Sequence, residues 1–211
     1  MTEVSPVVDD PSGIVPDANA IRMAVLEHPL GRHLPRWVAR VNVQLHPHEW
    51  SSGAMIDYCA DTRTVTLSLV RRIPCLPEYR YILLHEFTHV ADKTDPAFLY
   101  SDAKRFSLPD QQQRAVAELW NIYIDGRLHK MDLFELGECN RNVTCEVDGD
   151  LQVAPFTIEG KLLGHIHALR GMSVTDPDAV VRGIWESPGE RSYEELIAVA
   201  CAQTEGQSIA D

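Results

Sequence analysis

Two histidines four residues apart are the side chains of this sequence best placed to do chemistry. The chain reads His-Glu-x-x-His from His85 to His89. If this segment is helical, His85 and His89 lie one turn apart on the same face and can offer two imidazoles to one metal ion. Glu86 is rotated by about 100° from His85, so its carboxylate flanks the ion instead of binding it.

Zinc is the ion that this arrangement suits. It accepts imidazole nitrogens at about 2.0–2.1 Å, and a catalytic zinc site keeps one position open for water. Such an ion lowers the pKa of bound water towards about 7, and Glu86 could take the released proton. The flanking residues are apolar, as in a buried helix, where polar side chains are costly unless a partner satisfies them. These residues are Ile82, Leu83, Leu84, Phe87 and Val90. The motif therefore predicts Zn²⁺ bound by His85 and His89, with Glu86 as catalytic base.

A polar stripe on a second predicted helix offers candidates for a third ligand. Glu118, Asn121, Asp125 and His129 are three, four and four residues apart. This spacing places them along one side of an otherwise apolar helix. Glu118 and Asp125 lie about 10 Å apart along the helix axis, so they cannot both bind one ion. The acid that is not a ligand could orient a ligand histidine through its other ring nitrogen.

Other candidate side chains fit structural roles. His165 and His167 are two residues apart, which puts their rings on opposite sides of a helix and makes a poor chelate. The odd count of five cysteines favours reduced thiols in a cytoplasmic protein. Cys59 falls in a predicted strand and is expected to pack in the core. Asp92 and Asp95 are expected to be surface acids at a helix end; the alternative is that one of them orients His85 or His89.

The elements that must position these residues follow from periodicity and from helix and turn signals. Alternating apolar residues predict a hairpin of two strands joined by Asp61-Thr62-Arg63. Pro109 and Asp110 mark the start of the helix that carries the polar stripe. The predicted helices cover residues 18–27, 78–92, 110–130, 161–170, 177–185 and 193–203, and the predicted strands cover 38–45, 54–60 and 64–70.

The length of 211 residues fits one domain with short tails. Breakers and acids in residues 1–18 predict a mobile N-terminal arm. We expect a single domain over 19–203, in which 137–203 could form a helical appendage, and a frayed tail over 204–211.

Composition and charge exclude several classes of function. With 31 acidic and 19 basic residues, the chain has a net charge of −12 and no basic stripe, which argues against nucleic-acid binding. No apolar run approaches the roughly 20 residues that span a bilayer, which argues against a membrane protein. The N-terminal residues lack the basic-then-apolar order of a signal peptide, so we expect a cytoplasmic location.

From about residue 54 to residue 130, the order of hairpin, motif helix and second helix resembles the zincin superfamily of metallopeptidases. The motif helix of that superfamily carries the same His-Glu-x-x-His sequence. The extended metzincin motif would require glycine at position 92 and histidine at position 95, where this chain has Asp92 and Asp95. The metzincin subfamily is therefore excluded.

The segment from Asn121 to Asp125 is similar to a shorter motif, Asn-Ile-x-x-Asp. This motif follows the metal helix in putative metallopeptidase domains associated with von Willebrand-type domains. The similarity implies Asp125 as the third zinc ligand. Glu118 is the alternative and would match the gluzincin pattern, although Ile122 stands where that pattern has a second acid.

The resemblance implies a fold and an activity. The fold is an α/β (α+β) zincin-like domain, with a small, mostly antiparallel sheet packed on the motif helix and the second long helix, and extra C-terminal helices. The activity is zinc-dependent hydrolysis of a peptide or protein substrate, which could pair with a sheet edge in the hairpin of residues 54–70. Two alternatives stay open: a non-catalytic zincin-like binding or regulatory module with a structural metal, and a metal hydrolase acting on another bond.

Overall fold

The fold comes from a computed structural model that describes residues 5–46, 54–71, 79–133, 142–147, 150–155 and 157–204. The predicted mixed α/β class is confirmed. The chain divides into two compact units, residues 1–96 and 97–211. The single domain over 19–203 stays a prediction. The motif helix belongs to the first unit and the second long helix to the second. No helix in the described part of the chain is long and apolar enough to cross a membrane.

The first unit is built on a four-stranded sheet. Its strands are β1 (Val7–Asp9), β2 (Arg40–Leu45), β3 (Ala54–Cys59) and β4 (Thr64–Leu69), in the order β1-β2-β4-β3. The β1–β2 and β2–β4 pairs are parallel, and only β3–β4 is antiparallel. The sheet is thus mixed and not mostly antiparallel. Within the hairpin, β4 lies on the inner side of the sheet and β3 on its outer side. Strand β2 therefore pairs with β4, and these two strands are parallel.

The hairpin forms where the sequence predicted it. Val65, Leu67 and Leu69 are fully buried on the core face of β4. The tight turn closes with a hydrogen bond from the amide of Arg63 to the carbonyl of Ala60. On β3, every second residue faces solvent. Cys59 is one of these exposed residues, so its predicted core packing is not observed.

Part of the predicted N-terminal arm belongs to the sheet. Residues 7–9 form the edge strand β1 and pair in register with β2. The chain then turns, and Asp10 Oδ2 accepts a hydrogen bond from the amide of Val15 at 2.8 Å. Ile14, within this turn, is buried in the core. Paired main-chain groups and a buried side chain therefore order a stretch whose composition predicted mobility.

Three helices complete the described part of the first unit: α1 (Ala18–Leu26), α2 (Leu34–Trp37) and α3 (Tyr79–Thr94). Asp17 caps α1 by accepting a hydrogen bond from the amide of Asn19 at 2.8 Å. The motif helix α3 has the bounds that the sequence predicted, to within two residues. Its apolar side joins the sheet and α1 in one core, through Leu83, Phe87, Val90 and Ala91.

The second unit is mainly helical. Its elements are α4 (Asp102–Phe106), α5 (Asp110–Lys130), β5 (Asn142–Val147), β6 (Asp150–Pro155), α6 (Ile158–Gly171), α7 (Pro177–Glu186) and α8 (Tyr193–Thr204). Helix α5 packs against α6, α7 and α8. The four longer helices agree with the predicted ones, while the antiparallel β5–β6 hairpin lies in the stretch with the weakest sequence signal. Of the predicted C-terminal tail, residues 205–211 lie outside the described residues.

A glycine allows α5 and α7 to approach closely. A Cβ atom added at Gly126 would lie 2.9 Å from the carbonyl oxygen of Trp185. Real Cβ atoms do not come this near to a backbone atom, so a side chain at this position would push the helices apart. Position 126 therefore requires glycine for packing.

Candidate metal centre

Helix α3 brings His85 and His89 together in a geometry that fits chelation of one ion. Their ring centroids lie 5.2 Å apart, and the ring planes meet at 72°. A zinc–nitrogen bond of about 2.0–2.1 Å places each ring centroid about 3.2 Å from the ion, and a tetrahedral angle then separates the centroids by about 5.2 Å. The observed distance between the two centroids equals this value.

The three motif side chains share the accessible side of the helix. His85, Glu86 and His89 are each half-buried, whereas Phe87 is fully buried on the opposite side. The ring of Tyr81 lies 6.1 Å from that of His85, one turn earlier.

A histidine outside the motif holds this helix from the core side. His28 is 2% exposed, and its Nε2 donates to the carbonyl of Leu84 at 3.0 Å. Its Nδ1 accepts a hydrogen bond from the amide of Leu30 at 3.2 Å, which assigns the neutral tautomer protonated on Nε2. The hydroxyl of Thr88 donates to the same Leu84 carbonyl at 2.7 Å and lies 3.3 Å from His28 Nε2.

His33 repeats this contact two turns further along α3. Its Nε2 lies 3.0 Å from the carbonyl of Ala91 and 3.0 Å from the hydroxyl of Thr94. Both histidines come from the segment after α1, and sequence reasoning gave neither a role. They show no local motif, since their partners lie more than 50 residues away in the sequence.

The predicted polar stripe on α5 is partly to fully buried. Asp125 is 0% exposed, and Glu118 is half-buried. His165 of α6 lies between the two acids: its Nδ1 is 2.7 Å from Glu118 Oε1, and its Nε2 is 3.0 Å from Asp125 Oδ2. The ammonium group of Lys161 lies 3.1 Å from the same Asp125 oxygen. Two carboxylates and two basic side chains thus form one cluster, called here the α5–α6 ionic cluster.

The pKa values of His165 and Glu118 are shifted by burial and by the hydrogen bonds within the α5–α6 ionic cluster. Burial acts to lower the pKa of His165, but hydrogen bonds to Asp125 and Glu118 outweigh it and raise that pKa. Burial acts to raise the pKa of Glu118, and the bond with His165 outweighs it, so this pKa is lowered. Both ring nitrogens of His165 face carboxylate oxygens, an arrangement that favours its charged form. The spacing of His165 and His167 gives no sign of this role, because the partners of His165 lie on another helix.

The structure places the predicted site residues in two groups. His85, Glu86 and His89 lie together on α3, and Glu118 and Asp125 lie together on α5 in the second unit. Among the residues that the structure describes, no group of three or more His, Cys, Asp or Glu side chains could hold a metal ion. Asp92, expected at the surface, is buried at 5% exposure.

Comparison with known proteins gives no relative from which a function could be transferred. The chain matches no known protein family, and neither a curated protein nor a solved structure is significantly similar to it. The function therefore has to be argued from the residues and their geometry.

Proposed function

We propose that this protein is a zinc-dependent hydrolase of peptide bonds with a zincin-like active site on α3. The observation that carries the proposal is the His85–His89 pair, with ring centroids 5.2 Å apart and Glu86 beside it on the accessible side of the helix. A purely structural ion would have no need for a carboxylate at position 86. The site residues thus favour catalysis over a non-catalytic binding module.

Each side chain of the motif has a defined task in this proposal. His85 and His89 hold the ion through one ring nitrogen each. When bound, zinc would supply a Lewis acid that makes water more acidic and polarises the scissile carbonyl. Glu86 accepts the proton of the attacking water and then delivers it to the leaving amine.

The third ligand stays a prediction, with Asp125 preferred to Glu118. Within the second unit, both oxygens of Glu118 accept hydrogen bonds, Oε1 from His165 and Oε2 from Asn121. Glu118 would have to give up one of these bonds to bind an ion. The Oδ2 atom of Asp125 contacts both His165 and Lys161. The preference for Asp125 comes from the segment from Asn121 to Asp125, which is similar to the Asn-Ile-x-x-Asp motif.

The sheet of the first unit offers a place for an extended substrate. Among the residues that the structure describes, β3 is an edge strand of the sheet, and α3 packs beside it. Edge strands present main-chain groups that can pair with an added strand. Met55 is 49% exposed on this edge strand and Asp57 is also exposed, so side chains of a bound peptide would meet one apolar and one acidic residue.

The proposal is tested by metal content and peptide hydrolysis together. Purified parent protein should carry about one zinc per chain and cleave members of a peptide library. His85→Ala and His89→Ala should lose both zinc and cleavage, while His167→Ala serves as the matched control and should keep both. A parent protein that binds no divalent ion after mild handling would contradict the proposal. Zinc bound without hydrolysis would favour the structural-metal alternative.

A further inference from the structure

We propose that His28 is a positioning residue that fixes the helical turn carrying both metal ligands. This inference rests on the proposed function, because it concerns the same histidine pair. His28 does not face an ion or a substrate in this proposal. It acts through the main chain and side chain of two residues of α3.

The contacts of His28 fall immediately before each ligand. Leu84, whose carbonyl accepts the Nε2 hydrogen bond, is joined by its peptide bond to His85. Thr88, whose hydroxyl lies 3.3 Å from Nε2, is joined in the same way to His89. One imidazole therefore touches both ends of the turn from residue 84 to residue 88.

The turn is closed on itself as well as held by His28. The Thr88 hydroxyl donates to the Leu84 carbonyl at 2.7 Å, so Leu84, Thr88 and His28 form a three-membered hydrogen-bonded group. Thr88 and His28 are buried, at 0% and 2% exposure. Buried hydrogen bonds of this kind are costly to break because water cannot replace them. The group therefore limits how far the directions of the His85 and His89 side chains can vary.

Metal affinity depends on how closely the ligand side chains are held in position. Ligand positions must be held within about 0.5 Å for tight binding, and partners outside the ligand set typically change affinity by about 10- to 100-fold. His28 contacts residues next to the ligands and not the ligand rings. We therefore expect an effect at the lower end of that range, about tenfold.

His33 provides a control of the same chemistry inside the same unit. It also binds a carbonyl and a threonine hydroxyl of α3, but at Ala91 and Thr94, beyond both ligands. Loss of His33 should weaken the packing of the end of the helix. It should leave the turn that carries His85 and His89 unchanged.

The experiment compares zinc dissociation constants, measured by chelator competition at a temperature where each variant is folded. His28→Leu keeps the volume but removes the hydrogen bonds, and it should bind zinc about tenfold more weakly than the parent. His28→Gln supplies an N–H donor and an oxygen acceptor again, and it should recover most of the affinity. His33→Leu should bind zinc as the parent does.

The outcomes separate this inference from the proposed function. If the parent binds no zinc, the proposed function itself has failed. If the parent binds zinc and His28→Leu binds it equally well, or His33→Leu is weakened as much as His28→Leu, His28 is not a positioning residue. Should His28→Leu not fold, Thr88→Val removes the hydroxyl of the same group with little change in shape. The inference then requires weaker zinc binding in that variant, and unchanged affinity overturns it.

Discussion

The Nε2 atom of His165 lies 3.0 Å from the Oδ2 atom of Asp125, a side chain with no exposed surface. Removing the imidazole would take a basic group away from the buried carboxylate of Asp125 and the half-buried carboxylate of Glu118. We expect His165→Ala to lower the free energy of unfolding by about 3–5 kcal/mol, the usual cost of breaking a buried ion pair from one side. Urea denaturation measures this change. His167→Ala, two residues away and half-buried, is the control and should cost much less; equal losses would contradict the role of the cluster.

Glu86→Gln separates metal binding from proton transfer. The amide has the size of the carboxylate but cannot accept a proton, and a general base typically contributes about 10²- to 10⁴-fold to a rate. The variant should therefore keep its zinc and lose at least about 99% of its peptide cleavage. Zinc per chain measures metal binding, and initial rates on the same peptides measure cleavage. The exposed Glu190→Gln serves as the control. A variant that cleaves as fast as the parent would remove Glu86 from the mechanism.

The third ligand can be assigned by comparing two alanine variants. Asp125→Ala should lose zinc, because the ion would keep only two protein ligands. Glu118→Ala should retain zinc with reduced affinity, since it removes a partner of His165 and not a ligand. Zinc content after dialysis against a weak chelator distinguishes them. The reverse order would make Glu118 the ligand.

Gly126→Ala tests the close approach of α5 and α7. The added methyl group would meet the carbonyl of Trp185, so we expect a loss of about 1–3 kcal/mol, as for other overpacked sites. Gly183→Ala is the matched control, because a Cβ there meets nothing within 4 Å. That substitution should stabilise its helix by up to about 1 kcal/mol. Both values come from thermal or urea unfolding, and a loss at position 183 as large as at 126 would argue against the steric explanation.

The reactivity of Cys59 should depend on Thr62. A hydrogen bond from the Thr62 side chain, joined by its backbone amide, lowers the pKa of the exposed Cys59 thiol below its ordinary value of 9.0. Thr62→Val removes the hydroxyl, so the pKa should rise and the thiolate should form only at higher pH. Mass spectrometry of the Cys59 peptide after timed alkylation at several pH values would show the half-maximal pH moving upward. Thr66→Val, on the same hairpin, should leave it unchanged.

Local signals in the sequence predicted most elements of this fold. Pro109 and Asp110 mark the start of α5, and the alternation of Val65 with Leu67 identifies β4, because caps and periodicity depend on neighbouring residues. The pairing of β2 with β4 could not be predicted in this way. The alternation of apolar and polar residues along a strand shows which face is buried, but it does not show which strand lies beside it.

Local sequence signals are equally limited in predicting the residues that support the candidate site. Two histidines one helical turn apart can be recognised from spacing alone. His28 and His165 cannot, because their partners Leu84 and Asp125 lie 56 and 40 residues away in the sequence. Residues that support a site from another element become visible only when the fold is known.

In the described part of the chain, β1 is the strand at the edge of the sheet next to β2. It covers one side of β2, a six-residue strand whose Val41 and Val43 are almost fully buried. A chain cut after Asp9 would turn β2 into an exposed edge with unpaired main-chain groups, and such edges promote aggregation by pairing with other molecules. Because β1 has only three residues and ends in an acid, it is itself a poor partner for a neighbouring molecule. N-terminal truncation is therefore expected to reduce solubility.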